Sequence, residues 1–387
     1  ALRAPSERLR SSKLRRTMGW LTKAVSKVGD GLSSAAQNLR SGFVPQVLQF
    51  GELQVMTTAL LAEGGYSYVY SAREVGASAK PFAVKKMITQ DAEGAEVAEL
   101  EVRVLEQLQT HAGIVGFHGW MKKEQGGKRC EYWMLLEYCP NGSLIDVLYR
   151  KGRGGEFERQ PRLVEIFEQV VAGVVHMHAQ RPPVAHRDLK LENVLCSHSG
   201  AYVLCDFGSC STAVLPAERT RKQVVEQEEA ISKYSTLMYR APEMVDLYLK
   251  HELGPKVDVW ALGCILYALC YYDHPFASES TLQILNAGFA IPHDSAQHFS
   301  PQIPALIKAM LTSDPARRPD AAEVLLVLGK LRKLPPPAPP LNAPAPPPAA
   351  ADTPAFAADF GAAFAKEDAA FADFGSASFA PAPPAAA

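Results

Sequence analysis

Aromatic and small polar residues alternate through Tyr66–Ala72 (YSYVYSA), the period-two pattern of a strand with one face buried. Ahead of it, Leu60-Leu61 runs into Glu63-Gly64-Gly65. Behind it, a polar loop leads to Phe82–Met87 (FAVKKM). Residues 59–87 therefore read as strand, turn, strand, loop, strand. In the last of these Ala83 and Lys85 share one face and Lys86 takes the other. The period then changes. Val97, Leu100, Val104, Leu105 and Leu108 recur at helical spacing, with Glu101 beside their stripe. The unbroken run Trp133–Leu136 predicts a buried strand, continued by a short extended link at Glu137-Tyr138-Cys139. Nearer the start, Trp20, Leu21, Ala24, Val25, Val28, Leu32, Ala35, Ala36 and Leu39 fall on one half of a helical wheel. Lys23, Ser26, Lys27, Ser33, Ser34 and Gln37 fall on the other half, and Gly29 and Gly31 weaken this helix.

Composition divides the 387 residues into regions. Residues 1–50 are basic and Ser-rich. Residues 51–334 have the mixed apolar pattern of a folded domain, and a chain that is 47% hydrophobic has ample material for its core. Residues 335–350 are too rich in proline for an interior helix or a central strand and read as a polyproline linker. Residues 351–387, rich in Ala with Phe, Asp and Gly, are low in complexity, so both termini are expected to be disordered. Lys and Arg total 40 against 41 Asp and Glu, which gives no reason to expect a nucleic-acid partner. Seven scattered cysteines without a CxxC pair fit a reducing cytosol, and no apolar run reaches the roughly 18–20 residues of a membrane span.

The chemistry concentrates in His186-Arg187-Asp188 with Lys190 and Asn193, followed by Asp206-Phe207-Gly208 at the end of another strand. Each type in this spacing has a use in phosphoryl transfer. Asp188 accepts a proton from an attacking hydroxyl, and Lys190 neutralises charge on the transferring group. Asn193 and Asp206 offer the hard oxygen ligands suited to Mg²⁺. Glycines at 64 and 65 let backbone approach phosphates, although a Gly-Gly pair alone is more often a plain turn. Lys85 can hold nucleotide phosphates, and Glu101 opposite it would orient the lysine. Asp-Phe-Gly recurs at 359–361 and 373–375, but there no patterned chain surrounds it to fix a ligand in place.

With these motifs in this order, residues from about 55 to 333 resemble a eukaryotic protein kinase. The stretches LAEGGYSYVY, YVLCDFGS, YSTLMYRAPEMVDLY and DVWALGCILYALCYYDHPF are similar to the Numb-associated kinase subfamily, which includes adaptor-associated and cyclin-G-associated kinases. The resemblance implies an α+β, two-lobed fold. A small antiparallel-sheet lobe with one helix would span 51–138, and a larger, mainly helical lobe 139–334. It implies ATP and Mg²⁺, and serine/threonine rather than tyrosine specificity from Lys190. Leu61, Ala62, Glu63, Gly64, Gly65, Tyr66, Ser67 and Val69 would cover the nucleotide. Ala83, Lys85, the gatekeeper Leu136, the hinge Glu137 to Cys139, and Asp206 would complete its site. Ala62 and Ser67 stand where kinases at large carry the outer two loop glycines, a departure that the subfamily shares. His186 would stack on Phe207, Asp258 would brace the catalytic loop, Thr236 would touch Asp188, and Glu243 would bridge to Arg318. Arg187 would either grip a phosphate on the activation segment, residues 206–243, or serve structurally. Ser211, Thr212, Thr220, Ser232, Tyr234 and Ser235 are acceptors there by residue type. An extra helix is expected after that segment in DLYLKHELG, with Gly254 as its stop.

The ends suggest partners. The basic N-terminal helix either docks on the kinase domain or lies on anionic membrane. Lys333 with LPPPAP fits a polyproline ligand. Six Phe in the tail, two of them following Asp, resemble short peptides that bind clathrin-adaptor appendages. The expected setting is cytoplasmic and peripheral to coated vesicles, with an adaptor subunit as protein substrate. The rival reading is a pseudokinase scaffold that recruits the same components through its tail.

Overall fold

The computed structural model describes residues 43–332 apart from 65–66, 77, 127–128, 151–159 and 294. The N-terminal amphipathic segment, the proline-rich linker and the Phe-containing tail lie outside the described residues.

Six strands form one antiparallel sheet: β1 Val47–Phe50, β2 Leu53–Glu63, β3 Ser67–Glu74, β4 Pro81–Thr89, β5 Phe117–Glu124 and β6 Cys130–Glu137. Their order is β1-β2-β3-β4-β6-β5. β1 lies before the boundary expected at residue 51. The reason is the alternation in VLQF, which buries Leu48 and Phe50 and exposes Val47 and Gln49. Val55, Ala72, Phe82, Val84, Trp133 and Leu135 complete that cluster on one face of the sheet. Phe43 extends it, with its ring 5.5 Å from that of Tyr70 on β3. The sheet is curled so that its edge strands β1 and β5 pack together, and a Cβ at Gly119 would lie 3.8 Å from Phe50.

The opposite face carries Ala83, Lys85 and Met87 and packs on helix α1, Ala92–Leu108. Asp91 caps α1 by accepting the Gly94 N–H at 2.8 Å. Its buried residues are Ala98, Glu101, Val102, Val104, Leu105 and Leu108. Val97 and Leu100, expected within the apolar stripe, are only half-buried and line a groove instead.

The remaining described residues are mainly helical: α2 Leu144–Arg150, α3 Gln160–His178, α4 Arg221–Tyr234, α5 Pro242–Val245, α6 Lys256–Tyr271, α7 Thr281–Leu285, α8 Ser295–His298, α9 Gln302–Met310 and α10 Ala321–Leu331. The chain thus has the expected α+β arrangement, a sheet with one helix followed by a helical lobe. α6 is buried at every residue from Val257 to Cys270, as a helix apolar on all sides must be. One expected helix is absent. DLYLKHELG holds a single 3₁₀ turn, Leu247–Leu249, because Asp246 caps the Tyr248 N–H and Lys250 turns left-handed at φ 55°. The additional helix stands earlier, as α4 within the activation segment.

Candidate active site

A two-stranded hairpin, β7 Val194–Cys196 against β8 Tyr202–Leu204, sets the geometry of the site. Its register pairs Val194 with Leu204, which brings Asn193 before the one strand beside Asp206 after the other. The Cys205 N–H donates to the Asn193 carbonyl at 3.0 Å. Asn193 also donates from Nδ2 to the Asp188 carbonyl at 2.8 Å, which turns its amide oxygen the other way.

Lys85 comes from the middle of β4, between Val69 on β3 and Met134 on β6. Its Nζ donates to Glu101 Oε1 at 2.6 Å and to Asp206 Oδ1 at 2.7 Å. The lysine and Glu101 are both buried, whereas the Asp206 side chain is 52% exposed. Burial works against the charge on Lys85, but Asp206 and Glu101 outweigh it and hold the ammonium well above its usual range. The Lys85 charge in turn pushes Asp206 down to about 2. Glu101 is raised, since burial costs it more than half of a shared lysine returns. A Cβ at Gly208 would sit 3.3 Å from Glu101 Oε2 and crowd this group.

Asp188 lies across the cleft. Its Oδ2 accepts Lys190 Nζ at 2.7 Å, and its Oδ1 accepts both the Thr236 hydroxyl at 2.8 Å and the Thr236 N–H at 2.9 Å. Lys190 also donates to Thr236 Oγ1 at 2.9 Å. Burial opposes the Lys190 charge, and Asp188 more than offsets it, so its pKa is raised. Arg187 and Asp206 hold positive φ, 66° and 62°. Such backbone costs roughly 1–3 kcal/mol per residue and persists only where neighbours enforce it. At Arg187, Asp258 on α6 does so by accepting the N–H groups of His186 at 2.7 Å and Arg187 at 2.9 Å. His178 donates to the same carboxylate at 2.9 Å. Burial alone would raise Asp258, but His178 and His186 hold it below its ordinary value. The His186 and Phe207 rings lie 5.4 Å apart.

The covering strands place the other expected residues around the same cleft. Ala62 stands opposite Val69 and Ala83 opposite Leu136. Leu61, Ala62, Glu63 and Gly64 are exposed along the loop, and Ser67, Val69, Leu136, Glu137 and Cys139 are half-buried. Gly64 donates its N–H to the Ser67 carbonyl at 2.8 Å, while Gly65 and Tyr66 lie outside the described residues. Burial pushes the Cys139 thiol up to about 12, which keeps it protonated. Among the described residues no cluster of three or more His, Cys, Asp or Glu is placed to hold a metal ion. The pair Asn193 and Asp206 nevertheless fits Mg²⁺, which takes one or two protein oxygens and draws the rest from phosphates and water.

Glu243 and Arg318 meet as the resemblance implies, whereas two further residues, His178 and Gln227, carry no motif of their own. Arg318 donates to Glu243 Oε1 at 2.7 Å and Oε2 at 3.0 Å, a fully buried pair. His178, the last residue of α3, has no spacing signal. Gln227 on α4 also had none, although Thr220 with Gln223 spells a capping box that marks the start of that helix.

A family model of the protein kinase domain matches residues 56–327. The chain is 38% identical over 307 residues to a probable serine/threonine-protein kinase of Dictyostelium discoideum, covering 79% of this chain and 37% of that protein. A second probable serine/threonine-protein kinase of the same organism is 35% identical over 292 residues, with 75% and 26% covered. An actin-regulating kinase of Saccharomyces cerevisiae is 33% identical over 296 residues, with 75% and 36% covered. The chain thus spans about a third or less of the length of these curated relatives.

Proposed function

The chain belongs to the protein kinase family, and from that premise we propose that it transfers the γ-phosphoryl of Mg-ATP to serine and threonine hydroxyls of protein substrates. The observation that carries this reading is the convergence of Lys85, Glu101 and Asp206 opposite Asp188, Lys190, Asn193 and Thr236 in one cleft.

Asp188 is the group that receives the substrate hydroxyl's proton. Thr236 and Lys190 fix its two oxygens, so the carboxylate is oriented before a substrate arrives. Lys190 supplies positive charge beside the attacking oxygen, where negative charge develops. Lys85, oriented by Glu101, holds the nucleotide's phosphates under the loop 61–67. Ala83, Val69 and Leu136 enclose the base, and Glu137 to Cys139 offer it backbone groups. Asn193 and Asp206 would hold Mg²⁺, which when bound neutralises charge on the phosphates.

The expected setting is clathrin-coated vesicle traffic, with an adaptor subunit as substrate. It rests on the subfamily resemblance, on the Asp-Phe elements of residues 351–387, and on a relative named for regulating actin. The basic N-terminal segment supports anionic membrane contact in the same setting. Transfer of labelled phosphate from ATP to a serine/threonine peptide library tests the enzyme reading. Wild-type transfer that disappears in Asp188→Asn supports it. Absence of transfer by the wild type would leave the scaffold reading, which retention of adaptor appendages by residues 351–387 would then carry.

A further inference from the structure

The guanidinium of Arg187 is enclosed beneath α4. Its Nη1 donates to Gln227 Oε1 of that helix at 3.2 Å, while Nε and Nη2 are sealed from solvent without a hydrogen bond. Asp258 takes the backbone N–H of Arg187, so its carboxylate serves the peptide link. A second arginine, Arg219, is close enough to oppose the Arg187 charge, and it is itself spent on the carbonyls of Leu247 and His251. An enclosed arginine behind the catalytic aspartate is what a phosphate on the activation segment would bind. In this chain a neutral amide from a helix stands there.

The same helix ties together the parts that a phosphate would order. Lys233 reaches Glu93 on α1 at 3.4 Å. The Tyr234 carbonyl accepts the hydroxyl of Ser209, the residue after Asp-Phe-Gly. Two residues beyond the helix, Thr236 meets Asp188. Two acceptors are already engaged by this arrangement. Thr220 caps the helix, and Ser235 donates to the Ile231 carbonyl at 2.6 Å and accepts Arg240 Nε at 2.9 Å.

We infer that Gln227 is a positioning residue, holding Arg187 so that α4 orders the activation segment without a phosphate on it. The inference deepens the kinase reading and rests on it. Gln227 touches neither substrate nor nucleotide. It acts through Arg187, whose neighbour Asp188 does the chemistry.

The test uses the full chain, as purified and after phosphatase treatment, with mass spectrometry to confirm that residues 206–243 carry no phosphate. The dephosphorylated wild type is expected to keep its kcat within about twofold. Gln227→Ala should lower kcat about tenfold with little change in the KM for ATP, since orientation of the catalytic loop and not nucleotide binding is lost. Gln227→Glu should restore most of the rate, because a carboxylate also engages the guanidinium. Loss of kcat on dephosphorylation, a wild-type kcat in Gln227→Ala, or no rescue by Gln227→Glu would each overturn the inference. Should Gln227→Ala fold poorly, hydrogen exchange across 206–220 in the wild type decides. Equal protection with and without phosphatase supports the inference, and a rise on dephosphorylation overturns it. A wild type that transfers no phosphate in either state removes the kinase reading, and this inference with it.

Discussion

Lys85 serves two carboxylates at once, and this fixes how the site responds to acid. Asp206 is held near 2 in the fold, below the roughly 3.9 of an unfolded chain. A depressed carboxylate contributes stability that is fully present above the unfolded pKa and lost as pH falls through the folded one. The contribution therefore disappears between about pH 4 and pH 2, and it is modest because half of the side chain faces solvent. Asp206→Asn is expected to flatten the pH dependence of the melting temperature in that window. A slope unchanged from wild type would mean that Lys85 does not set the acid limb. His111 provides a second case in a milder range. Its ring stacks on His176 at 4.6 Å, and burial first, then the His176 charge, lowers its pKa. Stability from this contact is present above about pH 6.5 and declines as pH falls below it. His176→Gln should reduce the loss of melting temperature between about pH 6.5 and 5. At this scale the site was largely legible. Asp188, Lys190, Asn193 and Asp206 sit in one short spacing that chance does not produce, and Lys85 follows from strand alternation. Gln227 and His178 were not legible, because an amide and an imidazole on helices owe their roles to what the fold brings opposite them.

Among the elements, the extra helix stands as α4 and not in DLYLKHELG, where only a 3₁₀ turn forms. Only Val224 and Ile231 of its fourteen residues are buried, so it has no apolar stripe for periodicity to find. What it has is a start signal. Thr220 accepts the Gln223 N–H at 3.3 Å, and Gln223 returns a bond to the Thr220 N–H at 2.9 Å. Thr220→Ala should cost about 1 kcal/mol and fray the first turn. Faster amide exchange at 221–225 with little change at α3 is the result that checks it. β1 gives no compositional signal, since a four-residue strand beside a basic, Ser-rich stretch takes on the character of that stretch in any composition window. Truncating its core residue, Leu48→Ala, is expected to cost about 2–5 kcal/mol, against nearly nothing for the exposed Val47→Ala. Strands β2 to β4 and helix α1 were readable because alternation, turn glycines and helical spacing agree with their burial.

Across the whole molecule, one buried ion pair joins the activation segment to the helical lobe. Arg318 and Glu243 are hidden from solvent, and the guanidinium also meets the carbonyls of Lys256 and Thr312 at 2.7 and 3.1 Å. Removing the acid leaves a buried cation unpaired, so Glu243→Gln should cost about 3–5 kcal/mol. The exposed pair Arg332–Glu168 is worth at most about 1 kcal/mol, and thermal melts of Glu243→Gln and Arg332→Ala should separate clearly. Two-lobed organisation was accessible from the sequence only through resemblance, since no periodicity says which helices pack on which. The curl of the small sheet has a further bearing. An open sheet offers a rim of unused amides and carbonyls onto which a foreign chain can crystallise as an added strand. With β1 and β5 drawn against each other, that rim is folded inward and sterically guarded. A guest peptide in extended form is therefore expected to find a poorer template along these two described edges than an open sheet would offer, and self-templated fibre growth a poorer seed.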